Sequence, residues 1–265
     1  MESTERNPAV LSADAVAPKS VLARGLSIID CVGKADEPLR LHEIADGTQL
    51  ARPTVFRLVK ELAAWGALER NQNSTYQLGH RLFELGAHVP AARALRDVAM
   101  PYMEDLHTVT GGIIHLAVLD GTDVLYLERL AGHDPAPSPS RVGGRNPAHC
   151  TGVGKAILAF SDDVAVMRSV LRGLKPKTGR TIVIPQLLVA ELNHIRRVGV
   201  AIDREEIQVG LACAAAPVLD RSGGAVAAVS ITDRTSSLRV DAVAPAIRTC
   251  ARGISRAYQT QLSPL

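Results

Sequence analysis

The chain has 265 residues, of which 46% are hydrophobic and 22% charged, with a formal net charge of +3. This length allows two domains, and the composition is that of a globular protein with an apolar core. A net charge this small does not by itself indicate nucleic-acid binding. No apolar run approaches the ~20 residues of a membrane-spanning helix, and the N-terminus lacks a secretory signal, so we expect a cytoplasmic protein.

The N-terminal end and the cysteines give two further expectations. Residues 1–17 are polar and Ala/Pro-rich and are predicted to be a disordered tail. The four cysteines form no CxxC pair, which excludes a zinc ribbon and argues against structural disulfides in a cytosolic protein. They are Cys31, Cys150, Cys213 and Cys250.

The first predicted helix follows Ser20, which can cap it, and ends at Gly33. Its apolar face carries Leu22, Leu26 and Ile29. Residues 41–62, LHEIADGTQLARPTVFRLVKEL, then predict two short helices joined by a tight turn.

Pro53 opens the second of these two helices, where a missing N–H costs no intrahelical bond. Four apolar residues of that helix follow the i, i+3, i+4, i+7 rule and form one stripe. They are Val55, Leu58, Val59 and Leu62.

The opposite side of the second helix carries Arg57, Lys60 and Glu61, flanked by Thr54 and Phe56. A buried stripe behind a polar face with two cations is typical of the second helix of a helix-turn-helix, which enters the DNA major groove. The stretch alone fits an ordinary amphipathic helix pair equally well.

The neighbouring segments favour DNA binding. A helix precedes the pair, and residues 68–79, LERNQNSTYQLG, predict a hairpin in the position of a wing. Residues 80–86 and 91–111 are predicted to be helices separated at Pro90.

We therefore expect four segments along the chain. They are the tail at residues 1–17, a winged helix-turn-helix DNA-binding domain at residues 18–80, a linker helix at residues 81–92, and a second domain at residues 93–265.

The second domain is predicted to be α+β, with helices packed on an antiparallel sheet, because the hydrophobic period changes toward 2 after Gly111. A Pro/Gly/Ser-rich stretch at residues 131–150 is predicted to be a long loop, which is usually functional or disordered. The predicted elements are strands at 113–120 and 123–130, helices from 151 and over 186–197, strands at 199–206, 208–220 and 225–233, and a helix over 240–258.

The peptide GVGKA at residues 152–156 resembles part of a phosphate-binding loop, but His149 and Ala156 stand where that motif needs Gly and Ser or Thr. Two interpretations stay open. The free N–H groups of this helix start can hold an anion, or the glycines serve a close-packed turn.

His149 and Cys150 adjoin and suggest a nucleophile pair, hence the alternative of a Cys/His-dependent enzyme with a helical accessory domain. Neighbouring strand residues point to opposite sides, however, and Cys is commonly a small buried hydrophobe.

His115 lies on an apolar strand and is predicted to be a core histidine. Asp203, Glu205 and Glu206 could suggest a metal, but no second ligand cluster supports one, so the two glutamates are predicted to lie at a solvated strand end. We expect no metal and no cofactor.

Cys213, Ser230 and Thr232 are small polar residues in otherwise apolar strands, and residues 230 and 232 share a face. Polar atoms on an inner face need partners. These side chains either bond to backbone or line a small polar pocket.

Taken together, these segments resemble the IclR-type bacterial transcriptional regulators over residues 20–258. Agreement in both halves of the chain, in the same order, makes the resemblance specific. The first half carries LHEIADGTQLARPTVFRLVKEL and TYQLGHRLFELG, and the second carries HLAVLDGTDVLYLERL, SRVGGRNPAHCTGVGKAILAF, IRRVGVAIDREEIQVGLACAAAPVLD and AVAAVSIT.

The resemblance implies a winged helix-turn-helix domain, a linker helix and a GAF-like effector-binding domain. It also implies a homodimer or a dimer of dimers that binds double-stranded operator DNA as a repressor or an activator. Family members respond to organic acids or aromatic catabolites, so the expected effector is a small organic acid, hydroxylated or aromatic.

By motif position, the resemblance assigns the effector site to the helix start after the long loop. Thr151 and Gly152 would hold an anion through their backbone, with side chains around it from Asp203, Cys213, Ser230 and Thr232. From the orientation of the second helix, the residues expected to face DNA are Arg52, Thr54, Phe56, Arg57 and Lys60.

Two residues depart from the family pattern. Gln49 stands where the turn between the paired helices usually has Gly, at some cost if its φ is positive. Pro53 stands where Ser is frequent, which removes a hydroxyl and an N–H from contact with phosphate. The operator sequence therefore does not carry over from other members.

Overall fold

The computed structural model describes residues 20–133 and 135–261. The chain divides into two compact units, one ending at Pro90 and one beginning at Ala91. The tail predicted at residues 1–17 lies outside the described residues. No described helix is long and apolar enough to cross a membrane.

The first unit has the winged helix-turn-helix arrangement. Main-chain bonds join Leu39 to Tyr76 (2.9 and 2.7 Å) and add a third short piece to the wing hairpin. The elements are α1 Val21–Lys34, α2 Leu41–Thr48, α3 Arg52–Trp65, β1 Leu68–Arg70, β2 Tyr76–Leu78 and α4 His80–Ala87.

The helix ends follow the local chemistry of the sequence. The predicted cap on α1 is confirmed, since the Ser20 hydroxyl accepts a hydrogen bond from the N–H of Ala23 at 3.0 Å. The turn residue Gln49 has φ +56°, so the turn adopts the left-handed geometry without the glycine that favours it. Helix α3 begins at Arg52, one residue before the predicted Pro53.

The apolar face predicted for α1 was wrong. Ile28, Cys31 and Val32 face the core, whereas Leu22 and Leu26 are exposed. The predicted and the observed apolar stripes lie less than half a turn apart around the axis of α1. Only the packing of α2 and α3 decides which of the two is buried.

The second unit is built on one six-stranded sheet in the order β5-β4-β3-β8-β7-β6, with every neighbouring pair antiparallel. Its strands are β3 Ile113–Asp120, β4 Asp123–Leu130, β5 Arg145–Pro147, β6 Ala201–Arg204, β7 Leu211–Leu219 and β8 Ala225–Arg234. Its helices are α5 Pro90–Thr110, α6 Gly152–Ala159, α7 Asp163–Leu171, α8 Pro185–Val198 and α9 Val240–Gln261.

Helices cover both faces of this sheet. Residues of α5 and α9 share one apolar core with one face, and residues of α6 and α8 share a second core with the other. Strand β7, LACAAAPVL, is therefore apolar on both sides, as expected for a strand buried on both faces. The predicted α+β architecture is confirmed.

Three short elements of this unit were not predicted. Residues 145–147 form an edge strand and Ala148–Cys150 a 3-10 turn inside the stretch predicted to be a loop, and α7 was not predicted. Three-residue elements carry no readable period, whereas α7 had an available signal, because the Asp162 carboxylate caps it by accepting from the N–H of Ala165 at 2.8 Å.

Candidate functional site

The outer face of α3 is polar and uncovered within its own unit. Val55, Leu58 and Val59 are buried, and a rotation of about 100° per residue places Arg57 and Lys60 on the opposite side. Arg52 and Lys60 are exposed, Phe56 is 61% exposed, and Thr54 is half-buried.

Arg57 is held loosely on this face. Its guanidinium pairs with Glu61 one turn later at 3.2 Å, and both side chains are 59% exposed. Such exposed i,i+4 pairs stabilise a helix by only about 0.3–0.5 kcal/mol, so Arg57 can leave Glu61 for a phosphate or a base edge.

A second site lies in the other unit, between the sheet and the start of α6. It is a polar cavity, and all six residues predicted to hold an effector line it: Thr151, Gly152, Asp203, Cys213, Ser230 and Thr232. The cavity volume is about 20 Å³, which is room for about one water.

Strand register brings the side chains together. Asp203 on β6 pairs with Cys213 on β7, and Cys213 pairs with Thr232 on β8. Ser230 lies two residues along β8 and pairs with His115 on β3. Residues from four strands thus meet on the sheet face toward α6.

The start of α6 is closely packed at both of its glycines. The Thr151 hydroxyl caps the helix by accepting from the N–H of Gly154 at 3.2 Å, while the first N–H groups have no intrahelical partner. A Cβ at Gly152 would lie 2.7 Å from the Cys213 sulfur, and one at Gly154 would overlap the backbone of Ala148. Close packing therefore needs both glycines.

His115 was predicted to be a core residue, and although it is only 2% exposed it lines the cavity. Its Nε2 lies 2.5 Å from the Ser140 hydroxyl, and Ser140 in turn lies 2.7 Å from the Ser138 hydroxyl. Burial, with a smaller contribution from Arg129, lowers the pKa of His115 to about 3, so the ring is neutral.

Sequence reasoning missed five polar residues of this lining: His115, Tyr126, Ser138, Ser140 and Asn146. The serines lie in a loop whose path no period predicts. The one available signal was that His115 falls on the same strand face as the small residues, once β3 is known to pair with β8.

The carboxyl of Asp203 is about half protonated near neutral pH. Burial raises its pKa to about 7, although the N–H of Glu206 donates to it at 2.7 Å and favours the charged form. A protonated Asp203 can donate a hydrogen bond to a ligand carboxylate, and an ionised one can accept from a ligand hydroxyl.

The prediction that Glu206 is solvated was wrong. Glu206 is buried and forms an ion pair with the ammonium of Lys155, which is itself only 1% exposed and also donates to the carbonyl of Ile202 at 2.6 Å. Glu205 is half-buried and pairs with Arg180 at 3.2 Å. The described residues contain no group of three or more His, Cys, Asp or Glu that could hold a metal ion.

His149 and Cys150 do not form a nucleophile pair. The His149 Nε2–H donates to the carbonyl of Lys175 at 3.1 Å, and the Cys150 thiol points to the carbonyl of Pro147 at 3.7 Å. Burial raises the pKa of Cys150 to about 12, so the reactive thiolate is absent at neutral pH.

Comparison with known families matches both units. Residues 21–72 match the IclR helix-turn-helix domain, and residues 88–256 match the domain described as "Bacterial transcriptional regulator IclR C-terminal".

Individual relatives point to the same family. The chain is 34% identical over 240 residues to the HTH-type transcriptional regulator BhcR of Paracoccus denitrificans (88% of this chain, 85% of BhcR). It is 32% identical over 221 residues to the HTH-type transcriptional regulator XynR of Escherichia coli (82% and 86%). Among solved structures, an IclR homolog of Microbacterium hydrocarbonoxydans complexed with 4-hydroxybenzoate superposes with a TM-score of 0.83 at 28% identity (91% and 100% covered).

Proposed function

Because this chain belongs to the IclR family of bacterial transcriptional regulators, we propose that the outer face of α3 binds operator DNA and that a small organic acid in the C-terminal cavity modulates that binding. The DNA-binding domain is assigned to residues 18–80, the linker, which holds most of α4, to 81–92 and the effector domain to 93–265. Membership of a regulator family and the inert Cys150 thiol leave the enzyme alternative unsupported. Action on chromosomal DNA supports a cytoplasmic location.

The observation that carries the effector proposal is the convergence of polar groups on one buried cavity. Backbone N–H groups at the start of α6 attract an anion, and the helix dipole adds roughly 0.3–1 kcal/mol there. Ser230, Thr232 and Asp203 offer hydrogen bonds at the sheet side. The 4-hydroxybenzoate in the related structure joins a carboxylate to a hydroxyl, which is the class of ligand that these groups suit.

Effector entry requires the Ser138–Ser140 segment to move. The present volume of about 20 Å³ cannot accept an organic acid, and Ser140 lines the cavity with its hydroxyl bonded to His115. An effector that replaces this bond with its own polar groups would therefore favour a different loop position.

We expect Ser230→Val and Thr232→Val to weaken effector binding by about 5- to 150-fold each while leaving operator affinity unchanged, because a lost buried hydrogen bond costs ~1–3 kcal/mol. Calorimetry on a panel of carboxylates, led by 4-hydroxybenzoate, measures the first quantity, and a gel-shift titration measures the second.

The matched control is Thr249→Val, since Thr249 is an exposed residue of α9 that lies outside the cavity lining. This variant should bind effector like the wild type. Equal affinities in all four proteins would show that the effector site lies elsewhere.

For the DNA face, we expect Arg57→Ala to lower operator affinity by about 5- to 150-fold, because a base-contacting Arg contributes ~1–3 kcal/mol. A phosphate contact would instead weaken binding to all sequences and reduce the salt slope by about one unit. Gel-shift titrations at several salt concentrations separate these cases.

The matched control for Arg57 is Arg93→Ala. Arg93 likewise pairs with an acid one turn later, Asp97 at 3.8 Å, and both side chains are about as exposed (70% and 66%). If Arg93→Ala and Arg57→Ala behaved alike, the assigned face of α3 would be wrong.

We also propose that the protein is a homodimer or a dimer of dimers. One helix-turn-helix buries little surface, and paired half-sites about one helical turn apart are the usual solution. The exposed Leu22 and Leu26 on α1 and Phe83 on α4 support this, because large apolar side chains gain most from being covered. Sedimentation at micromolar concentration should give a mass of at least twice the 28.2 kDa of one chain. A monomeric mass would contradict the proposed oligomer.

A further inference from the structure

A second cleft in the C-terminal unit is larger than the effector cavity. It opens between the edge strand β5, the β3–β4 turn and the segment that follows α7, and its volume is about 420 Å³. Ligand pockets commonly measure 300–1,000 Å³, so this cleft can accept a small molecule without rearrangement.

The lining of the cleft carries an excess of positive charge. Four cations, Arg145, Arg172, Lys175 and Lys177, face a single acid, Asp123. Arg172 pairs with Asp123 at 3.6 Å, and Arg145 pairs with Asp120 outside the lining. Neither lysine forms an ion pair with any described residue.

Hydrogen bonds fix the backbone that carries the two lysines. The carbonyl of Lys175 accepts from the buried His149, and the N–H of Lys177 donates to the Thr181 hydroxyl at 3.0 Å. Thr181 and Thr178 donate in turn to the carbonyls of Glu206 and Glu205, at 2.7 and 2.6 Å. The backbone that carries these cations is thus ordered before a ligand binds, which lowers part of the entropic cost of binding.

We propose that this cleft is a second ligand site, distinct from the effector cavity, for a small anion with at least two negative groups, of the phosphate-ester or polycarboxylate class. An anion would supply the counter-charge that neither lysine has among the described residues, and the exposed Arg172 can present its planar guanidinium to a phosphate or carboxylate. The proposal does not depend on the effector assignment.

The cleft is also connected to the effector cavity. Asn146 lines both, His149 lies two residues before Thr151, and the Thr181 bond reaches Glu206, whose N–H holds Asp203. A ligand bound in this cleft would therefore lie next to residues that line the effector cavity.

The test is calorimetry of the full chain at low ionic strength, with inorganic pyrophosphate and citrate titrated separately so that the two arms distinguish phosphate from carboxylate. At least one should bind the wild type. The Lys175→Gln/Lys177→Gln variant should bind at least about tenfold more weakly, because two charge-assisted contacts are lost. Both lysines are exposed, so the variant should fold normally.

Two controls make the result specific. Arg197→Gln/Arg252→Gln removes the same charge from exposed positions outside the cleft and should bind like the wild type. Ser230→Val/Thr232→Val, altered in the effector cavity, should also keep anion binding. Wild-type protein that binds neither anion at millimolar concentration, or equal affinities in the lysine variant and the wild type, would overturn the proposal.

Discussion

Gly154→Ala is expected to destabilise the C-terminal unit by at least about 3 kcal/mol, at the upper end of the cost of overpacking. The added Cβ would lie 2.6 Å from the carbonyl carbon of Ala148 and still nearer its oxygen and Cα. These are backbone atoms of the turn just before α6, so no side-chain rotation can relieve the overlap. The helix start would have to shift away from the turn that positions Thr151.

The measurement is urea denaturation followed by circular dichroism, with Gly132→Ala as the matched control. Gly132 lies in the same unit and is exposed, and a Cβ there meets no atom within 4 Å. That variant should be neutral or slightly more stable, since Ala restricts the unfolded chain. A Gly154→Ala protein as stable as the control would mean that this helix start packs less tightly than described.

Lys155→Met is expected to destabilise the same unit by about 3–5 kcal/mol, because it leaves the buried Glu206 without its counter-charge. One oxygen of that carboxylate pairs with Lys155, and the other has no hydrogen-bond partner among the described residues. The second acid near Lys155 is Glu191 at 3.4 Å, whose side chain is 29% exposed and can turn to water.

The loss of stability in the Lys155→Met variant should grow as pH rises. Burial raises the pKa of Glu206 above its ordinary value of 4.5, and Lys155 opposes that rise. Without Lys155 the folded-state pKa is higher still, so the folded variant favours the protonated acid. Its stability is then greatest below about pH 4.5 and falls as pH rises toward the raised pKa, where the buried carboxylate must ionise.

Denaturation of wild type and variant at several pH values across this range measures the difference in their free energies of unfolding. Lys155→Met/Glu206→Leu should recover most of the lost stability, because an apolar pair of similar volume often replaces a buried ion pair without cost. A single variant whose stability did not depend on pH, or a double variant no better than the single one, would contradict this account of the Lys155–Glu206 pair.

The sequence alone determined the features that depend on local spacing. The stripe Val55, Leu58, Val59 follows from the 3.6-residue period, and the shared face of Ser230 and Thr232 follows from the two-residue period. The cap at Ser20 was equally readable, because it rests on a bond between near neighbours. The resemblance in both halves added the family, which the comparisons confirm.

Only the tertiary structure decided how distant segments meet. Strand register places Asp203 beside Cys213 and Cys213 beside Thr232, and the loop after β4 brings Ser140 to His115. The burial of Glu206 depends on Lys155, 51 residues earlier in the chain, reaching it from the inner face of α6. A period fixes which side of an element faces inward, whereas the partner met there depends on packing between elements, and packing is not encoded within any single window of sequence.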